Sequence, residues 1–111
     1  MIFSIEDHIQ QIINGTKTQT RRKSSSYLVG KTYSIQPGWT KPGIPEGRIL
    51  ILDKVVEVGL FDRIPYKDAK AEGGYTPTKF EELYEKMYPG WEERYAYTFE
   101  FVPSSSRIDK A

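Results

Sequence analysis

The chain has 111 residues, 38% hydrophobic and 14% aromatic, which is enough for one compact core and too little for two. It has no cysteine and one histidine, His8, which excludes a disulfide framework, thiolate metal sites and a multi-histidine metal centre. Sixteen Lys and Arg stand against fifteen Asp and Glu, a net charge of +1, so the broad basic surplus of proteins that track long nucleic acids is missing and one small anionic or polar ligand fits better. No apolar stretch approaches the ~20 residues of a membrane span and no leader-like segment opens the chain, so a cytoplasmic protein without membrane contact is expected.

Met1 to Ser4 reads as the start of a short strand. Ile5, Ile9, Ile12 and Ile13 then recur at helical spacing with Ser4 as N-cap, Glu6 and Asp7 at the positive end, and Asn14-Gly15 as the stop. The run GTKTQTRR, Gly15 to Arg22, emerges directly from that helix end and packs three cations and three hydroxyls into eight residues. Ser24 to Gly30 reads as a loop and Lys31 to Gln36 as a strand with Tyr33 and Ile35 on one side. Pro37 to Gly47, rich in Pro and Gly, is a long irregular loop carrying Trp39, and loops of that length in small domains are often functional. Arg48 to Val58 is the clearest strand.

Pro65 to Glu72 predicts a helix that Gly73-Gly74 terminates, and Thr76-Pro77 opens another in which Phe80, Leu83, Tyr84 and Met87 share a core face. Tyr95 to Val102 alternates as a closing strand, and Pro103 to Ala111 reads as a polar, frayed tail. The order of elements predicts an α+β domain with a small curled sheet over residues 1–102. His8, inside the first helix, reads as a partly exposed surface residue.

Taken together, "NGTKTQTRR", "VGKTYSIQPG", "RILILDKVVEV", "DAKAEGG", "TKFEELYEKMYPG" and "YAYTFEF" resemble the ASCH domain family, most specifically in the Gly-x-Lys-Thr-x-Thr-x-Arg pattern. The resemblance implies a PUA-like fold, a small β-barrel of about five to six strands with flanking helices, and ligands drawn from RNA or nucleotides. One branch of small bacterial members hydrolyses N4-acetylcytidine to cytidine and acetate with a Lys, a Thr three residues later and a Glu before the second helix. The matching positions here are Lys17, Thr20 and Glu72, with Asp68, Glu81 and Glu82 as neighbouring carboxylates.

The chemistry asks for a nucleophile, a base, a proton donor to the leaving nitrogen and a partner for the tetrahedral oxyanion. Thr20 offers the hydroxyl, and Lys17 offers an amine whose pKa desolvation and the nearby Arg21 and Arg22 would lower. Glu72 would orient Lys17 or protonate N4; a water activated by Glu72 is the alternative nucleophile. In a regular strand residues 17 and 20 face opposite sides, so the backbone must turn between them. Arg21, Arg22, Trp39, Tyr33 and Tyr97 are the candidates for binding substrate, with Trp91 a further stacking residue. The expected ligand is a nucleoside, with RNA as a second candidate partner; no cofactor and no metal are expected, and the oligomeric state stays open. The competing function is a non-catalytic RNA- or nucleotide-binding module, and a nuclease is a weaker third.

Overall fold

Among the described residues, three helices and four strands follow one another as α1 (Glu6–Ile13), β1 (Gln19–Arg22), β2 (Thr32–Ser34), β3 (Gly47–Val58), α2 (Tyr66–Gly73), α3 (Pro77–Met87) and β4 (Glu93–Pro103). They come from a computed structural model that describes residues 1–58 and 64–104. The α+β class expected from the sequence is the observed one. The tail expected over 103–111 lies outside the described residues from 105 on; Pro103 itself still ends β4, and Ser104 N donates to Glu46 O at 2.9 Å.

The sheet is antiparallel throughout, in the order β1-β4-β3-β2. Its spine is the long β3–β4 ladder, from Gly47 opposite Pro103 to Val58 opposite Glu93. Ile49 and Ile51 point into the core opposite Phe101 and Phe99, as the β-branched run predicts. A bulge between Ile51 and Asp53 leaves Leu52 as the extra residue, which breaks the strand's side-chain alternation and turns the far half of β3. Lys54, beyond the bulge, therefore lies over the Tyr97 ring and donates to Ser25 O at 2.7 Å.

The sheet is open, not the closed barrel of five to six strands that the resemblance implies. Closure would need Met1 to Ser4 to form a full strand between the two edges. That segment makes one isolated parallel bridge, Ile2 with Gln36, and it reaches β1 through a side chain, Arg22 Nη2 donating to Ile2 O at 2.6 Å. With β1 four residues long and β2 three, neither edge offers a ladder on which to close.

Two apolar clusters hold the layers together. Phe3, Ile12, Ile35, Ile49, Ile51, Tyr97 and Phe99 join α1 to the sheet, and Ile64, Ala69, Phe80, Tyr84 and Trp91 join α2 and α3 to the start of β4. Each large apolar side chain so buried contributes about 1.5–3 kcal/mol. Helix ends follow their residues with one exception. Thr76 caps α3 by accepting from Lys79 N at 3.2 Å, and Gly74 ends α2 at φ 81°. At α1 the cap position falls on Ile5 with no side-chain bond, so Ser4 does not cap it.

Candidate functional site

The run GTKTQTRR begins by wrapping the end of α1. Asn14 is the C-cap, Gly15 takes φ 85°, and Thr16 N and Lys17 N both donate to Gln11 O, at 2.9 and 3.0 Å. β1 starts only at Gln19, so Lys17 lies in irregular backbone before the strand, and strand alternation does not set its direction.

What meets the run is the other end of α2. A helix leaves its last carbonyls without intrahelical partners, and here three consecutive ones are taken from outside. Thr18 N donates to Ala71 O at 2.9 Å, Lys17 Nζ donates to Glu72 O, and Gln11 Nε2 donates to Gly73 O at 3.2 Å. An ammonium at a helix C-terminus is also favoured by the helix dipole. The same docking brings the Glu72 side chain to the amine, with Oε1 3.6 Å from Lys17 Nζ. Gly73 is needed here by close approach, because a Cβ on it would lie 2.8 Å from His8 Nε2 and 2.8 Å from the Tyr75 ring.

These residues wall a cavity of about 270 Å³ between the run, α1, the end of α2 and α3. Lys17, Thr20, Arg21, Arg22, Trp39 and Glu72 all line it, so six of the eight residues singled out in the sequence come together. Lys17 is 2% exposed and Glu72 3%. The amine donates to Gln19 O at 2.8 Å besides Glu72 O. Burial pushes its pKa down from 10.5 to about 8, Arg22 and Arg21 push the same way, and Glu72 opposes them. Thr20 is buried; among the described contacts its hydroxyl accepts from Arg22 Nε at 3.0 Å. Arg22 also stacks over the Phe3 ring, 4.7 Å from its centroid.

Arg21, also in the cavity wall, is spent on carboxylates. It donates to Glu72 Oε2 at 2.7 Å and grips Glu57 with two bonds of 3.0 Å, while Asp68 stands 3.7 Å away. Glu57 lies opposite Arg94 in the β3–β4 register and accepts from its Nε at 2.8 Å. Arg94 in turn clamps Glu81 with bonds of 3.0 and 2.9 Å and lies 4.1 Å from the Trp91 ring centroid. A continuous chain of charges, Lys17–Glu72–Arg21–Glu57–Arg94–Glu81, therefore runs from the cavity into the second core. Of the four carboxylates weighed in the sequence, Glu72 reaches Lys17, whereas Asp68 stands beside Arg21 and Glu81 belongs to Arg94. Among the described residues no group of three or more His, Asp or Glu side chains is arranged to hold a metal ion.

Two expected substrate-binding residues are elsewhere. Tyr97 is fully buried in the first core, its hydroxyl donating to Ser24 O at 2.6 Å. Tyr33 packs edge-on against Tyr27 at 5.0 Å, and its hydroxyl accepts from Leu28 N at 2.9 Å. Their strands turn that face toward the core rather than the cavity. Trp91 is likewise a core residue under Arg94. Trp39, by contrast, is 89% exposed at the cavity mouth, where it also borders a neighbouring cavity. Met87 is exposed rather than core, and with Leu83 it lines the cavity.

His8 is the residue that the sequence misplaces most. It is buried, lines the cavity and bonds through Nε2 with Tyr75 Oη at 2.7 Å. Desolvation, then Lys17 and Arg22, lower its pKa from 6.5 to about 4. Between those values the unfolded chain takes up a proton that the folded chain refuses, so stability is expected to fall as pH drops from 6.5 toward 4. Urea midpoints across that range check it, with a flatter slope expected for His8→Asn.

No protein-family model matches the chain, and no curated protein matches it. In fold it is similar to the crystal structure of protein EF3133 from Enterococcus faecalis V583, labelled with the family model DUF984. The match covers 92% of this chain and 71% of that one, with a TM-score of 0.65 and 17% sequence identity. At that identity the likeness is one of fold alone. Among the described residues no helix is long and apolar enough to cross a membrane.

Proposed function

We propose that the protein is a metal-independent amidohydrolase of the ASCH type that cleaves the N4-acyl amide of N4-acetylcytidine-like nucleosides to cytidine and a carboxylic acid. The observation that carries this reading is the Lys17–Glu72 pair. It is a lysine with its pKa pulled down to about 8, held by two backbone carbonyls and a carboxylate at the wall of a nucleoside-scale cavity that Thr20 also lines. The motif that resembles the ASCH family supplies Lys17, Thr20 and the Gln19 carbonyl, and the end of α2 supplies Glu72.

In its neutral form the Lys17 amine donates its two N–H groups to Gln19 O and Glu72 O and keeps its lone pair free. Thr20 Oγ1, polarised by the Arg22 guanidinium, attacks the acyl carbon while its proton passes to Lys17. The tetrahedral intermediate collapses with cleavage of the C–N4 bond, Lys17 returning the proton to N4, and cytidine leaves. Water then hydrolyses the threonyl ester with Lys17 again as base, which releases the acid and restores the hydroxyl. Glu72, held between Lys17 and Arg21, orients the amine. Trp39 at the mouth offers a face to the base.

The RNA-binding alternative finds less support, because Arg21 is engaged by Glu57 and Glu72, and Arg22 by Ile2 O and Thr20. Cations turned inward do not contact phosphates. Purified protein with chelator present is expected to convert N4-acetylcytidine to cytidine, read by chromatography. Intact substrate together with salt-sensitive retention of labelled single-stranded RNA would establish the binding module instead. Turnover should rise with pH as Lys17 sheds its proton, roughly tenfold from pH 7 to pH 9, and level off above. A rate independent of pH over that range removes Lys17 as the base.

A further inference from the structure

The mechanism above leaves a buried hydroxyl of the cavity wall without a task. Tyr84, on the inner face of α3, is 3% exposed and lines the cavity, yet among the described residues its hydroxyl has no hydrogen-bond partner. Buried polar side chains almost always have one, and leaving a hydroxyl unmatched costs about 1–3 kcal/mol. The other buried orphan, Gln11 Oε1, belongs to a side chain already fastened to Gly73 O and outside the cavity.

The Tyr84 ring cannot turn away to find a partner. Arg94 lies 4.7 Å over it, Trp91 meets it edge-on at 5.6 Å, and Tyr88 packs at 4.9 Å. Its surroundings also keep the proton on. Burial raises the phenol pKa well above its usual value; Arg94 opposes, while Tyr88, Glu72 and Glu57 add to the rise. Glu72, Thr20 and Arg22 line the same cavity as Tyr84. The result is a hydroxyl that keeps its proton and is held in the cavity wall by its ring neighbours.

We propose that the Tyr84 hydroxyl donates a hydrogen bond to the acyl carbonyl oxygen of the bound N4-acylcytidine, and that this bond strengthens as the oxygen gains charge in the tetrahedral intermediate. This rests on the hydrolase reading and supplies the oxyanion partner that reading lacks. No bond to Tyr84 forms or breaks, and its proton stays on the phenol.

Tyr84→Phe removes only the oxygen. Because that oxygen bonds nothing among the described residues, the melting temperature is expected to stay level or rise, while kcat for N4-acetylcytidine falls by about 10²-fold and KM changes little. An unchanged kcat overturns the proposal. So does a loss of several degrees in melting temperature, since the hydroxyl would then serve the fold. If wild type does not hydrolyse N4-acetylcytidine, the hydrolase reading falls, and calorimetric titration of the intact compound decides the hydroxyl separately. Binding at least fivefold weaker in Tyr84→Phe sustains the contact; equal affinity, or no binding by wild type, overturns it.

Discussion

Lys17→Met is expected to abolish turnover of N4-acetylcytidine, lowering kcat by about 10²–10⁴-fold, while the variant still melts cooperatively. Methionine fills much of the same volume without an amine. It leaves Gln19 O and Glu72 O short of a donor, at about 1–3 kcal/mol each. Against that loss it also removes an ammonium from a site where Lys17 is 2% exposed, and burying such a charge is itself costly. The two effects oppose each other, so the melting temperature should move far less than the rate. Lys17→Arg separates charge from proton transfer. A guanidinium keeps the cation beside Glu72 but does not give up a proton near neutral pH. If Lys17 is the base, the arginine variant is as inactive as the methionine one; if it only holds charge, the arginine variant retains much of the rate.

Arg94→Met is expected to have the largest effect on folding, a loss of about 3–5 kcal/mol out of a total on the order of 5–15 kcal/mol. Arg94 is 1% exposed, so this is no surface pair. Its removal takes away both bonds to Glu81, one to Glu57, and the cover over Trp91 and Tyr84. A fall in melting temperature of at least about 10 °C, read by calorimetry, is the expected result. Arg94→Lys should recover only a small part of it, because an ammonium can neither fork onto Glu81 nor stack flat on indole. A shift within about 2 °C would place this network with ordinary surface ion pairs.

The sequence carries the elements well where periodicity is strong. The helical spacing of Ile5, Ile9 and Ile12 and the β-branched run from Arg48 to Val58 both emerge as expected. It carries the centre of the site as well, because Lys17, Thr20, Arg21 and Arg22 are neighbours in the chain. It also carries Glu72, which stands at the end of a helix next to two glycines. What it hides are relations that only pairing creates. Glu57 meets Arg94 because two strands set them opposite each other, 37 positions apart. Tyr33 and Tyr97 alternate as cavity-facing residues would, but alternation does not say which face of a sheet is covered. His8 looks exposed on a helical count, and it is buried because Gly73 and Tyr75 arrive from elsewhere in the chain. The missing barrel closure is of the same kind, since a strand of three residues and a single bridge are decided by partners rather than by propensity.

The three carbonyls at the end of α2 that Gln11, Lys17 and Thr18 take up bear on how this arrangement can be traced in other chains. The eight-residue run is not a portable cassette: grafted without a helix terminus to lean on, it would keep its letters and lose its shape. Searches by the short pattern alone will therefore gather many look-alikes. The sounder signature joins that pattern to a distant glutamate sitting just ahead of a glycine pair, the two halves of one lock.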